Sequence, residues 1–273
     1  MRKLLIIIVG IVVVGIALLL IGGAIVKHGT TPRDSDSAAD GPLLTANFVD
    51  LDQIAAMTKF RSCQGHLVVP QDDSEPRSNM KHYFYLKQAF TGAQGLVPLY
   101  APFNGYVTDI LAEDQDFSDR NPASRDVSLG TRKGLLARTD WQFTFLHIVP
   151  VESLKEGNAV TAGDLLGHVS LEKIPPYYAF DVTYSKMGGP SKSIDGWRSP
   201  YAALDSVFNH MDEAVLADYQ QRFGASSPDD FSVSPQARAA APCQYQGNGP
   251  MFSNSRESPA WADDWLGTIE DAV

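Results

Sequence analysis

The chain has 273 residues, with 22 basic and 32 acidic side chains, a formal net charge of −10 and two cysteines. Every acidic residue lies beyond residue 28, whereas three of the basic ones, Arg2, Lys3 and Lys27, precede it. An acidic surface repels phosphate groups, so the composition argues against a nucleic-acid partner. The acidic part of the chain beyond residue 28 is predicted to be a soluble domain.

The first segment is strongly apolar. Leu4 to Val26 contains no charged residue and is dominated by Leu, Ile, Val and Gly. Because a helix rises about 1.5 Å per residue, this run covers a hydrocarbon core of roughly 30 Å, which predicts a transmembrane anchor over residues 1–28. A cleaved signal peptide, with an apolar region of usually about 7–15 residues, is the alternative, and the small residues at 22–24 leave it open.

The charges that flank the apolar run predict its orientation. Arg2 and Lys3 stand before it, while Lys27 and Arg33 follow it close to Asp34 and Asp36. The positive-inside rule therefore predicts a single-pass membrane protein with a cytoplasmic N-terminus and an extracytoplasmic main domain. The next residues are rich in Thr, Ser, Asp and Pro, which predicts a flexible linker over 29–45.

From residue 96 the pattern changes to short apolar runs between turn residues. Alternation and β-branched or aromatic content predict six strands, at Leu96–Ala101, Gly105–Leu111, Gly134–Arg138, Gln142–Val149, Leu165–Ser170 and Tyr178–Tyr184. Their number and spacing predict a mainly β domain over residues 46–190, built as a compact antiparallel sheet or barrel. Gly188-Gly-Pro190 is interpreted as a loop that leaves it.

The remaining residues, 191–273, are predicted to form a helical C-terminal extension. Apolar residues recur at three- and four-residue steps from Leu204 to Phe223, with Ser199 and Pro200 before them and Gly224 after them. This spacing predicts one amphipathic helix that packs on the sheet. The final Trp261–Leu266 segment fits either a docked turn or an exposed aromatic tail.

The two cysteines stand near the ends of the folded part. In an oxidising compartment Cys63 and Cys243 would close a disulfide. Two buried free thiols are one alternative, and a metal site that contains Cys63 and His66 is another, although no CxxC or HxxxH spacing accompanies them.

Two glycine-containing segments, Val97–Val107 and Leu154–Val169, resemble the hybrid-barrel pattern (duplicated hybrid motif) of lipoyl carriers, membrane-fusion adaptors and M23 (LytM, lysostaphin-like) zinc endopeptidases. The Phe-Thr-Phe-Leu-His stretch that ends at His147 resembles the Tyr-Ala-His-Leu strand of the M23 family. Tyr177–Val182 stands where that family has His-x-His-Phe-Glu-Val. The resemblance covers Lys81–Tyr184 and implies a lipoyl-like antiparallel barrel or sheet.

The resemblance also implies a zinc site made of His, Asp and His, which this chain lacks in part. Tyr177 and Ala179 occupy the positions of the two histidines in His-x-His. Asp181 occupies the position of the glutamate, where it would support the metal ligands without binding the metal itself. His82 and His66 are candidates for the upstream histidine, but Leu86 and Pro70 follow them where the family has aspartate. We therefore name no confident metal ligand or catalytic residue.

Within this incomplete set, His66 and His82 remain candidate metal ligands and His147 a candidate catalytic residue. Asp72 or Asp73 could complete an unusual site with His66, and a core or surface histidine is the simpler interpretation of each. No cofactor is expected, with zinc as the alternative.

Three hypotheses about function follow. The leading one is a membrane-tethered pseudoenzyme that binds or regulates a peptide, glycan or protein of the cell envelope. The second is a divergent zinc metalloendopeptidase that uses His66, His82, His147 and Asp181. The third is a membrane-fusion or secretion adaptor that uses the barrel for assembly.

Overall fold

The structure is a computed structural model that describes residues 41–112, 121–134, 137, 139–170, 179–253 and 263–268. These residues contain eleven strands and two α-helices. The strands are β1 Ile54–Thr58, β2 His82–Leu86, β3 Pro98–Tyr100, β4 Gly105–Ala112, β5 Arg125–Gly130, β6 Trp141–Pro150, β7 Ala159–Val160, β8 Leu165–Val169, β9 Ala179–Ile194, β10 Trp197–Asp205 and β11 Trp265–Gly267. The helices are α1 Glu213–Phe223 and α2 Pro235–Ala240.

The strands form one antiparallel sheet whose central path runs β11-β1-β2-β9-β6-β5-β4-β7. Off this path, β10 pairs with β9, and β8 pairs with both β3 and β6. The predicted mainly β, antiparallel architecture is therefore confirmed. The long strands β6 and β9 lie side by side at its centre, so they fix the positions of the side chains that both faces present.

One face of the sheet carries the hydrophobic core. Strand alternation directs Phe84, Phe180 and Val182 to this side, where they pack with Phe143 and Phe145 of β6. Helix α1 covers the same core with one stripe of buried residues, Val215, Tyr219 and Phe223. The core therefore lies between the sheet and α1. The opposite face of β2, β9 and β6 is not part of this core.

Five of the six predicted strands are present, as β3, β4, β6, β8 and β9. The exception is the predicted strand at Gly134–Arg138. There the described residues turn, since Gly134 has a φ of 84° and the amide of Ala137 donates to its carbonyl at 2.9 Å. Leu135, Leu136 and Arg138 lie outside the described residues.

The predicted helix from Leu204 to Phe223 is wrong in its first half. Leu204 belongs to β10, Val207 and Phe208 lie in a 3₁₀-helix at Val207–His210, and α1 begins only at Glu213. The helix starts there because the Asp212 carboxylate accepts the amide of Val215 at 2.8 Å. Three different elements bury their apolar residues in one core, and their combined spacing imitated a single helix.

The predicted boundary at residue 190 falls inside a β-hairpin. Strand β9 continues through Gly188-Gly-Pro190 to Ile194, and β10 returns alongside it to Asp205. The segment interpreted as an exit loop is therefore strand, and the C-terminal extension begins with strand rather than helix.

The folded part begins earlier than the predicted linker allows. Leu44 is fully buried, forms a bridge with Met211, and its amide donates to the carbonyl of His210 at 2.7 Å. The predicted anchor and most of the linker lie outside the described residues. Within the described ranges, no helix is long and apolar enough to cross a membrane.

Cys63 and Cys243 form a disulfide across 180 residues of sequence. The buried Arg238 lies against it, donating to the Cys63 Sγ at 2.7 Å and forming an ion pair with Asp264. Strand β11 follows directly and pairs with β1, so Trp265 is docked, whereas Trp261 lies outside the described residues. These contacts join the two ends of the folded part.

Candidate functional site

A group of polar side chains lies on the face of the sheet opposite the core, where β2, β9 and β6 run side by side. Asp181 of β9 sits between Phe180 and Val182, which point into the core, so its own side chain points to the other face. Its direct neighbours across the sheet are Tyr83 of β2 and Leu146 of β6. We call this side the outer face.

A buried ion pair occupies the centre of the outer face. The Lys81 Nζ donates to the Asp181 Oδ2 at 2.8 Å, and the two side chains are 5% and 1% exposed. The other carboxylate oxygen, Oδ1, is buried and accepts no hydrogen bond from the residues that the structure describes. The carboxylate is thus neutralised on one side and left open to a further partner on the other.

His147 faces that second oxygen, with its Nε2 at 3.4 Å from the Asp181 Oδ1. The core residues of β6 are Phe143, Phe145 and then Ile148, so one extra residue is inserted at Leu146–His147, where the pairing with β5 also shifts. His147 has a φ of 63°, which is uncommon for a residue with a side chain. This bulge turns the imidazole to the outer face.

His66 completes the group. Its ring packs against Trp197 at 4.6 Å between centroids, and its Nδ1 donates to the carbonyl of Leu67 at 3.1 Å. Burial, followed by the charge of Lys81, lowers the pKa of His66 to about 4, so its imidazole is neutral at pH 7. We refer to Lys81, Asp181, His147 and His66 together as the outer-face site.

Electrostatics within the site centre on the ion pair. Burial is the largest influence and lowers the pKa of Lys81, but the charge of Asp181, the interactions with Tyr83 and Tyr201 and the hydrogen bond to Asp181 together outweigh it, so the net shift is upward. Burial raises the pKa of Asp181, but Lys81 and then His147 outweigh it and the net shift is downward. Both groups are therefore charged at neutral pH, and burial raises the pKa of the adjacent Tyr83 to about 12.

His82, one of the predicted metal candidates, is not part of the outer-face site. It precedes Phe84 by two residues on β2, so its ring points into the core, where it packs against Phe60 and Phe208. The carbonyl of Thr58 accepts from Nδ1 at 3.0 Å, which leaves Nε2 to accept from the Ser206 hydroxyl at 3.0 Å. Both nitrogens are occupied, so His82 is a core histidine and the prediction is corrected.

The predicted carboxylate partners of His66 are also engaged elsewhere. Asp72 accepts from the hydroxyl of Ser74 at 2.6 Å, and Asp73 pairs with Arg77 and Lys192 at the surface. The structure thus brings together His147 and Asp181, whose charges contribute to the pKa of His66. His82, Asp72 and Asp73 have other partners.

Aromatic side chains extend the outer face beyond the ion pair. Tyr83 and Tyr85 follow each other on this side of β2, with ring centroids 6.5 Å apart, and Trp265 of β11 lies 5.1 Å from Tyr85. Tyr85 stands directly across from Ala179. These rings are half-buried, and partly exposed Tyr and Trp are typical of surfaces that contact ligands.

The residues present do not fit the zinc site that the family resemblance implies. Zinc needs three or four converging His, Cys, Asp or Glu ligands, and no such group of three is found in the ranges that the structure covers. Ala179, at one expected histidine, has no donor atom, and Tyr177 lies outside the described residues. The ammonium of Lys81 already holds an oxygen of Asp181, the carboxylate nearest to His147.

Sequence reasoning missed Lys81 and Tyr83, although both stand beside the histidine that it chose. Lys81 would be expected at the surface, because a lone lysine is rarely buried. The available signal was strand alternation, which places Tyr83 and Tyr85 on the face opposite His82 and Phe84. The partner of Lys81 could not be read from the sequence, because Asp181 lies a hundred residues away.

No protein-family model matches the chain. A search of curated proteins likewise gives no match.

Solved structures do match. A zinc-containing peptidase from Vibrio cholerae is 11% identical, with a TM-score of 0.33 over 53% of this chain and 37% of that one. Csd3 of Helicobacter pylori is 14% identical, with a TM-score of 0.31 over 54% and 30%. A protein described as the glycyl-glycine endopeptidase LytM from Ruminococcus gnavus is 13% identical, with a TM-score of 0.31 over 59% and 62%.

These structural neighbours are peptidases of the LytM and lysostaphin type, the family that the sequence resembles. The chain spans 30% to 62% of the length of the three proteins compared above. At such identities and TM-scores the likeness transfers neither an activity nor a site residue to this chain.

Proposed function

We propose that this chain is a membrane-anchored, extracytoplasmic binding or regulatory domain that has a peptidase-like β fold and does not hydrolyse peptides. Its ligand or partner is a peptide, glycan or protein of the cell envelope. The outer-face site and the aromatic rings beside it form the recognition surface. The anchor and its orientation come from the apolar run Leu4–Val26 and the charges around it.

The observation that carries the proposal is the buried Lys81–Asp181 ion pair. A hydrolytic metal site needs carboxylate or imidazole ligands around the metal. It also needs an open coordination position for an activated water. Here the carboxylate closest to His147 is held by an ammonium at 2.8 Å, which would repel a divalent cation. The chemistry of the site favours hydrogen bonding to a ligand over activation of water.

The aromatic side chains support binding as the use of this surface. Tyr83, Tyr85 and Trp265 form a row of half-buried rings on the same face as the ion pair. Rigid aromatic rings supply large contact areas at a low entropy cost, which is why they dominate binding surfaces.

One observation favours the divergent metallopeptidase as a second candidate. His147 lies 3.4 Å from the Asp181 carboxylate, and the charges of both residues contribute to the pKa of His66, which burial chiefly lowers. A rearrangement that withdrew Lys81 would leave two imidazoles and a carboxylate. The proposal and this alternative differ in whether the unmodified chain holds zinc.

The deciding experiment measures zinc by mass spectrometry in the full chain, purified in mild detergent, after zinc loading and gel filtration. His66→Ala and His147→Ala serve as site variants, and Arg77→Ala, in a surface ion pair, is the control. We expect all four proteins to carry far less than one zinc per chain and to release no peptide from cell-wall crosslinks. Stoichiometric zinc that both histidine variants lose would establish the metallopeptidase instead.

Binding is tested separately by co-sedimentation with purified cell-wall material and with membranes stripped of it. We expect Tyr85→Ala to lower the affinity measured by co-sedimentation by about tenfold or more, because the substitution removes the central ring of the row. Leu111→Ala, at an exposed position on β4 outside that row, should leave it unchanged. Equal binding by both variants would place the recognition surface elsewhere.

A further inference from the structure

We propose that the Cys63–Cys243 disulfide is a redox switch for the recognition surface, and that its reduction by a dithiol releases strand β11 and withdraws Trp265 from the aromatic row. The inference rests on the proposed function, because that row is part of the recognition surface. It gives the bridge a regulatory role beyond its contribution to stability.

One buried side chain, that of Asp264, anchors strand β11. Among residues 263–268, Asp264 alone is buried, and the others are half-buried or exposed. Its carboxylate pairs with the Arg238 guanidinium and accepts the amide of Cys63 at 2.7 Å. The pairing of β11 with β1 covers only three residues. So short a strand stays in place only while the carboxylate is neutralised, because an unpaired buried charge is strongly destabilising.

The guanidinium of Arg238 spans the two chain segments that the disulfide joins. On one side it donates to the Arg61 carbonyl and to the Cys63 Sγ, each at 2.7 Å. On the other side it donates to the carbonyl of Ala241 at 3.0 Å, two residues before the second cysteine. The bridge therefore holds these acceptors together. Once it opens, the segments can move apart, and the guanidinium cannot hold both of them and its carboxylate partner.

The same arginine makes the bridge easier to open. Cys63 is only 5% exposed and Cys243 is half-buried, so the thiolate of a dithiol attacks the Cys243 sulfur. A mixed disulfide forms there, the S–S bond breaks, and Cys63 leaves as a thiolate that the adjacent Arg238 stabilises. The second thiol of the reagent then displaces Cys243. A pair of electrons has passed to the chain and the reagent leaves as its own disulfide. Of its two thiol protons, one is taken up by Cys243 and the other is released to water.

Other contacts confine the change to β11. The amide of Phe252 donates to the carbonyl of Gly65 at 2.8 Å, and the amide of Leu67 donates to the carbonyl of Pro250 at 2.8 Å. Cys243 packs against a second hydrophobic cluster, which is separate from the core that α1 covers. Helix α1 should therefore stay folded when the bridge opens, and it serves as an internal reference.

The test is hydrogen–deuterium exchange, read by mass spectrometry, of the full chain in mild detergent before and after reduction with dithiothreitol. We expect the amides of residues 264–268 to exchange about tenfold faster or more in the reduced chain, while those of α1 stay as slow as before. Cys63→Ser/Cys243→Ser should exchange like the reduced chain, with or without dithiothreitol. Equal exchange of 264–268 in the oxidised and reduced chains would overturn the inference. Loss of protection in α1 would also overturn it, because the whole domain would then have unfolded.

A second variant tests the anchor without opening the bridge. Arg238→Gln removes the cation and keeps the disulfide, so residues 264–268 should exchange rapidly even in the oxidised chain. Arg132→Gln, in an ion pair whose arginine is 51% exposed, is the matched control and should leave their exchange slow. Slow exchange in Arg238→Gln would contradict the inference, because β11 would then not depend on this arginine.

Exchange is measured without a ligand, so its result is separate from that of the proposed function. In co-sedimentation with purified cell-wall material, reduction should lower the affinity of the chain by about tenfold. A reduced chain that releases β11 and binds as tightly as the oxidised one would refute the switch. An oxidised chain that binds nothing would instead refute the proposed recognition surface, whatever the exchange shows.

Discussion

Replacing Lys81 with methionine should be far more damaging than replacing any surface lysine. The substitution keeps most of the side-chain volume but leaves the charged Asp181, 1% exposed, without its partner. Breaking a buried ion pair in this way costs about 3–5 kcal/mol, because the remaining charge stays buried and uncompensated. For a domain of this size, that corresponds to a fall of roughly 6–20 °C in the thermal midpoint.

The pH dependence of this loss provides a sharper test. In the unmodified chain the pKa of Asp181 is lowered, so its stabilising contribution is complete above the unfolded-state pKa and is lost only as the pH falls through the lower folded-state value. In Lys81→Met the influence of Lys81 is gone, so burial, the largest influence on Asp181, is opposed mainly by His147 and His66 and raises the pKa of Asp181. Protonation then relieves the buried charge, and the difference in stability between the two proteins should shrink from pH 7 to pH 4.

The assay is urea unfolding of the full chain in mild detergent, followed by tryptophan fluorescence at pH 7, 5.5 and 4. Lys192→Met is the matched control, because Lys192 pairs with Asp73 at 3.2 Å with both side chains about half exposed. We expect the control to unfold at the same urea concentration as the unmodified chain at each pH. A Lys81→Met variant as stable as the control, or a difference that does not change with pH, would refute the reasoning.

Three further predictions concern the disulfide, the cap of α1 and the apolar N-terminal segment. Replacing Cys63 and Cys243 with serine should lower the free energy of unfolding by about 2–5 kcal/mol, because the bridge closes a loop of 180 residues. The measurement is urea unfolding, and adding dithiothreitol to the unmodified chain should cause the same loss. Asp212→Ala should cost about 1 kcal/mol by the same assay, because the amide of Val215 loses its cap. Deleting residues 2–28 should move the chain from carbonate-washed membranes to the soluble fraction, whereas a chain already cleaved there would show the shorter mass before any deletion.

The sequence predicted those parts of the fold whose signals are local. Strands β4, β6 and β8 have alternating or β-rich residues between turn signals, and they appear close to the predicted bounds. Gly224 was chosen as the end of a helix, and it has a φ of 69° directly after α1. Each of these features depends on neighbours within a few residues.

The sequence failed where different elements share one core. Leu204, Val207 and Phe223 follow a helical spacing, yet they come from a strand, a 3₁₀-helix and an α-helix. Apolar spacing reports only that a residue is buried, and two elements that meet the same core can continue each other's period by coincidence. Asp212, which caps α1, was the local signal that could have corrected the helix start.

The candidate site shows the same division. The bulge that turns His147 outward cannot be read from the Phe-Thr-Phe-Leu-His pattern, because it depends on how β6 pairs with β5. The choice of His82 failed for a simpler reason. Its sequence spacing to Phe84 places both on the core side of β2, and that alternation is visible in the sequence alone.

Lys81 shows why the chemistry of such a site needs the tertiary pairing. In the sequence it is one of 22 basic residues in an acidic chain, next to a histidine that attracts more attention. Only the antiparallel pairing of β2 with β9, which sets Tyr83 opposite Asp181, brings its ammonium to a carboxylate a hundred residues away.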